Sequence, residues 1–111
     1  MKKLIVAVTI ALSSVAAHAE FVDGNKLLSW LDSSDDTENA LGIGYVAGVF
    51  DGLSSVLICA PSNVTLRQIS DMTKQGLKAV PEARNKSADQ FVSAIASAKW
   101  PCKKKTGSSN V

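Results

Sequence analysis

Few residues in this chain could do chemistry: two cysteines, one histidine, one tyrosine and ten acids. The histidine, His18, lies in a stretch that reads as an export leader. Lys2 and Lys3 precede an apolar run from Leu4 to Val15, and Ala17-His18-Ala19 supplies the small-x-small site that signal peptidase cuts. With residues 1–19 removed, no histidine remains to share a proton with a serine or cysteine nucleophile, and zinc loses its commonest ligand. Cys59 and Cys102 are an even pair in an exported chain with no CxxC spacing, the pattern of a structural disulfide. Closing a loop of that length is worth about 4 kcal/mol in the chain-entropy model. The acids are scattered over loops and helix caps, except Asp51, which sits inside an apolar stretch and reads as a buried hydrogen-bond acceptor. This inventory predicts a protein that binds, with no enzymatic site, no metal and no cofactor.

The elements that must position these residues follow from periodicity. The segment Gly44 to Cys59, GYVAGVFDGLSSVLIC, is apolar nearly all round, the pattern of a buried helix. Gly44, Gly48 and Gly52 recur every fourth residue and form one bare stripe. Each mid-helix glycine costs about 1 kcal/mol against alanine, so the stripe predicts a partner helix close enough to recover that in packing. A membrane span is disfavoured, because Asp51 near its middle costs about 2.5–3.5 kcal/mol on insertion scales.

Before this segment, Leu27, Leu28 and Leu31 recur at helical spacing with Trp30 beside them, and Asp23 or Asn25 is placed to cap. The run DSSDDTE then breaks the pattern, and Ser34 or Asp35 can accept from the free N–H groups of the next helix. After Cys59, Thr65 and Gln68 have capping-box spacing ahead of Leu66, Ile69, Met72, Leu77 and Val80. Pro81 ends that helix, PEARNK forms a loop, and Ser87 with Gln90 repeats the cap spacing before Ala88, Phe91, Val92, Ile95 and Ala98. Four helices are expected, at about Asn25–Leu31, Thr37–Cys59, Leu66–Val80 and Ala88–Trp100. The fold class is all-α: one compact bundle with one disulfide, occupying residues 20–102 and followed by a disordered tail, 103–111.

Charge narrows the partners. Two of the twelve basic residues, Lys2 and Lys3, belong to the leader, which leaves ten against ten acidic ones. A neutral domain whose aromatics fall inside apolar patterns is not a nucleic-acid binder. The loop Val80 to Ser87, stiffened by Pro81 and braced by a helix at each end, offers Glu82, Arg84, Asn85 and Lys86 as a preorganised polar surface for a protein partner. The acidic loop Asp32 to Asp36 is the competing surface.

The order GNKLLSWL, GYVAGVFDG, a cysteine-proline turn with VTLRQ, VPEARNKSADQFV and a terminal WPC resembles the Rap/Tai immunity proteins of type VI secretion amidase systems. The resemblance covers most of the mature chain. It implies a small all-α periplasmic protein that binds a toxic peptidoglycan amidase and blocks its active site, and it is compatible with a homodimer. It also implies that Cys59 and Cys102 are the family's disulfide cysteines, and that Gly44, Tyr45, Gly48, Asp51 and Gly52 form its central structural motif. Many members carry a second cysteine pair, where this chain has Trp30 or Leu31 and Leu41 or Gly42. The runner-up from size and helical content is a small disulfide-clamped periplasmic chaperone.

Overall fold

The computed structural model describes residues 21–103, so the expected leader, and the tail apart from Lys103, lie outside the described residues. Among the described residues four helices form the bundle, α1 (Gly24–Leu31), α2 (Asp36–Leu53), α3 (Leu66–Ala79) and α4 (Ala88–Lys99), with a 3-10 turn at Pro81–Ala83. Their starts follow the side chains that cap them. Asp23 accepts from the Lys26 N–H at 2.7 Å and Asp35 from the Glu38 N–H at 3.0 Å. At α3 the capping box is reciprocal: the Gln68 N–H donates to Thr65 Oγ1 at 3.1 Å and the Thr65 N–H to Gln68 Oε1 at 2.8 Å.

The start of α4 departs from the expected repeat of this box. Ser87 Oγ donates to the Asp89 carboxylate instead of capping, and Asp89 accepts from the Gln90 N–H at 2.9 Å. Asp89, an acid in the first turn, competes for the serine hydroxyl and complements the positive end of the helix itself.

Each pair of helices packs together, and all four contribute to one core of Leu27, Leu28, Leu31, Val46, Ile69, Leu77, Ala88 and Val92. Leu27, Val46, Leu77 and Val92 are fully buried, each worth about 1.5–3 kcal/mol relative to exposure. Phe50 meets Trp100 edge to face, with ring centroids 6.1 Å apart. Lys78 and Asp32 form an ion pair at 3.1 Å, but both are half exposed, so its contribution is below about 1 kcal/mol.

Cys59 and Cys102 are bonded, with Cα atoms 4.9 Å apart. The expected length of α2 is corrected here: it ends at Leu53, not at Cys59. To reach the disulfide the chain must bring Ile58 beside Pro101 and the Cys59 N–H onto the Trp100 carbonyl at 2.9 Å, which a continuing helix cannot do. The chain therefore turns at Ser54 and Ser55, the latter at φ 69°, a left-handed conformation unusual for a non-glycine residue. The Leu53 carbonyl collects the N–H groups of Val56, Leu57 and Ile58 at 3.0–3.2 Å, and Ile58 is 1 % exposed.

Two further expectations about α2 are overturned. Among the described residues no helix covers the Gly44, Gly48, Gly52 stripe: a Cβ built at any of the three meets nothing within 4 Å beyond its own stretch of helix. Asp51 is exposed rather than buried, because it shares the outward side of α2 with Gly48 and Gly52. The close approach occurs at Gly42 instead, where a Cβ would lie 3.0 Å from Leu31 Cδ2 and 3.1 Å from Trp30 Cβ. Because α2 is apolar on nearly every side, hydrophobicity could not tell which side faces the bundle.

Candidate functional site

Two surfaces stand out, and they are built in different ways. The first is the segment between α3 and α4. Pro81 begins its 3-10 turn, the Arg84 N–H donates to the Pro81 carbonyl at 3.4 Å, and the Lys86 N–H donates to the Ala83 carbonyl at 3.1 Å. The first turn of α1 holds it from below. The Gly24 N–H donates to the Lys86 carbonyl at 2.9 Å and the Asn25 N–H to the Arg84 carbonyl at 2.8 Å, so helix N–H groups that lack intrahelical partners are satisfied by this loop. Just beyond it, the Ala88 N–H donates to the Val22 carbonyl at 2.9 Å.

This backbone clamp requires a glycine at position 24, since a Cβ there would lie 2.8 Å from the Arg84 oxygen. Sequence reasoning missed the clamp; its one local signal is a glycine directly after the Asp23 cap. Glu82, Asn85 and Lys86 are exposed as expected. Arg84 is not: it is half buried and its Nε lies in the protein without a hydrogen-bond partner among the described residues. Its backbone is drawn down onto Asn25, and the side-chain stem follows it inward.

The second surface is the open side of α2. Ala40, Gly44, Gly48 and Gly52 are small residues at four-residue spacing along it. A hollow of about 710 Å³ lies over its first half, where Val22 and Trp30 meet Leu41 and Tyr45. Another of about 380 Å³ lies over its second half, between Leu57 and the Asp89–Ser93 turn of α4. Leu41 is 51 % exposed and Leu57 49 %, so an apolar side chain stands free near each end of the stripe.

Tyr45 lines the first hollow and feels the charge of Asp89, which lines the second. Burial pushes its phenol up from the ordinary value; the Asp89 charge pushes in the same direction, and a hydrogen bond to the Asp89 backbone opposes both. Of the residues expected to form a central structural motif, Gly44, Gly48, Asp51 and Gly52 thus lie on one exposed side, with Tyr45 at its edge.

The acidic loop is less free than its sequence suggests. Asp35 is occupied by capping α2, Asp32 pairs with Lys78, and Ser33 ties Glu38 to the loop through a 2.7 Å hydrogen bond. No group of three or more His, Cys, Asp or Glu among the described residues could hold a metal ion, and no described helix is long and apolar enough to cross a membrane. No curated protein matches the sequence significantly. A family model described as Rap1a immunity proteins matches residues 23–102.

Proposed function

The chain belongs to the Rap1a immunity protein family, and from that premise we propose that it acts in the periplasm against a cognate peptidoglycan amidase delivered by type VI secretion. Immunity proteins act by binding a toxin, not by catalysis. The segment 81–87 enters the amidase cleft and excludes its substrate. The observation that carries this reading is the backbone clamp: the Arg84 and Lys86 carbonyls are fixed on Gly24 and Asn25 while Glu82, Asn85 and Lys86 project their side chains to solvent. A loop fixed before binding loses little entropy on docking, which suits a tight inhibitor better than a mobile tail would.

The test replaces Glu82, Asn85 and Lys86 with alanine and leaves Arg84, whose side chain is partly internal. The far-UV CD spectrum is expected to stay unchanged while inhibition weakens at least tenfold, about 1.4 kcal/mol. If that variant protects as well as wild type while alanines at Asp32, Asp35 and Asp36 abolish protection, the acidic loop is the interface.

The open side of α2 supports a second part of the reading, self-association. In an antiparallel crossing of two copies, Leu41 of each would lie toward the hollow beside Leu57 of the other, as a two-fold interface requires. Gly48→Leu fills the crossing point and is expected to yield a monomer in sedimentation analysis. A wild-type chain that is monomeric at all accessible concentrations removes this part and leaves the loop reading intact.

A further inference from the structure

A third hollow, of about 390 Å³, lies at the other end of the α3–α4 hairpin from the 81–87 loop. Its apolar part is Trp100, Met72 and Val64, all half buried. The Trp100 carbonyl accepts the Cys59 N–H, which ties the backbone of residue 100 to the disulfide, and the Trp100 ring meets Phe50 edge to face. Around it stand three side-chain amides, Asn63, Gln68 and Gln75, each exposed. Gln68 commits its Oε1 to the Thr65 N–H, which leaves its amide nitrogen as a donor turned from the cap. One acid, Asp71, and one base, Lys99, complete the rim.

This composition selects a ligand class. The two opposite charges leave the hollow formally neutral, whereas a phosphate or anionic ligand would want an excess of cations. The partly exposed indole of Trp100 supplies an aromatic surface to the hollow, and amides supply donors and acceptors together. A pyranose ring has the matching surface: a C–H face that lies on an aromatic ring, and a rim of hydroxyl or acetamido groups that both donate and accept.

We propose that this hollow binds a neutral sugar ring of a glycan, stacked on Trp100 and hydrogen-bonded by Asn63, Gln68 and Gln75. Its Met72–Val64 side suits the methyl of an acetamido group, so the N-acetylated sugars of peptidoglycan are the ligand class. That last step rests on the proposed periplasmic role. The hollow centres about 15 Å along α3 from Pro81, so a wall-bound molecule keeps the 81–87 loop free to meet a toxin. The inhibitor would thereby be concentrated where an amidase works.

The experiment titrates the mature, disulfide-bonded protein with a soluble N-acetylglucosamine tetramer and follows the Trp100 indole N–H and the α3 amides by NMR, with Trp100→Phe assigning the indole signal. A saturable millimolar shift is expected at Trp100 and at residues 68–75, with Asn63→Ala/Gln75→Ala binding at least tenfold more weakly at unchanged CD. A cellulose tetramer, which lacks acetamido groups, should bind more weakly than the N-acetylated one. The proposal is overturned if no saturable shift appears up to tens of millimolar, if the shifts map to the α2 groove, or if the double variant binds as wild type does. No toxin takes part in this titration, so its failure leaves the inhibition reading untouched.

Discussion

The two sides of α2 carry glycines with opposite surroundings. On the inner side Gly42 lets α2 approach α1, since a Cβ there would press on Leu31 and Trp30 at 3.0–3.1 Å; Gly24 does the same work beneath the 81–87 loop. On the outer side a Cβ added at Gly44, Gly48 or Gly52 would meet no described atom beyond its own stretch of helix within 4 Å. Helix propensity costs about 1 kcal/mol at each glycine inside α2, inner and outer alike. Only Gly42 recovers that cost in packing against described residues. The proposed self-association would recover the outer cost, whereas the tight Gly42 serves the packing of the chain itself.

The largest expected effect tests what holds the open side in shape when no helix covers it. The Cys59–Cys102 bond, spanning 43 residues of sequence, fixes the turn at which α2 ends. Replacing both cysteines with serine is expected to cost about 4 kcal/mol. Denaturant unfolding measures it, and free-thiol labelling of the denatured wild type should find no thiol. A loss below about 1 kcal/mol would mean that α2 and its neighbours hold that end without the staple.

Next in size are the inner glycines. Gly24→Ala drives a methyl into the Arg84 carbonyl, a backbone atom that cannot swing aside, and Gly42→Ala presses on Leu31 and Trp30. Each is expected to cost about 1–3 kcal/mol by overpacking. Gly24→Ala should in addition weaken toxin inhibition, because it displaces the loop, while Gly42→Ala should leave inhibition by the folded protein unchanged. If Gly24→Ala folds and inhibits as wild type does, the clamp is not what organises the loop.

What the sequence made legible follows the same division. The caps were readable because each is local: Asp23, Asp35 and the Thr65–Gln68 pair act within three residues of themselves. The disulfide was readable because only one pairing exists. The end of α2 was not, since it is decided by a long-range demand, Ile58 against Pro101, that overrides a locally helical pattern. Nor was the orientation of α2. Its apolar residues surround the helix, so the choice of Gly42 over the Gly44 stripe as the buried contact depends on the shapes of Leu31 and Trp30. Pro81 and the flanking helices mark the loop 81–87 as stiff, but the clamp on it, two carbonyls that accept from α1 N–H groups, joins segments about 60 residues apart that no local pattern connects.

A smaller effect, of opposite sign, tests the outer glycines. Gly48→Ala adds a methyl where no described atom beyond its own stretch of helix lies within 4 Å. In the monomer it is expected to stabilise the fold by up to about 1 kcal/mol. The same substitution should weaken self-association in sedimentation equilibrium, since the added methyl keeps two helices apart. A destabilised monomer would show that something within the chain already covers the stripe.

The smallest effect reads the boundary between the two sides through Tyr45, the only tyrosine in the chain. Its phenol is held above the ordinary value first by burial and then by the Asp89 charge. Phenolate absorbance should therefore show a midpoint above that of free tyrosine. Asp89→Asn should lower the midpoint without restoring the free value, because burial remains. For stability the sign is fixed: a proton held more tightly in the folded chain contributes fully below the unfolded phenol pKa and is lost as pH rises through the folded one. Tyr45 thus adds no pH dependence near neutrality and weakens the fold only in alkali. If two copies cover the stripe, Tyr45 is buried further, so the midpoint should rise with protein concentration in wild type and stay constant in Gly48→Leu. A midpoint independent of concentration in a chain shown to dimerise would place the contact elsewhere than on the open side of α2.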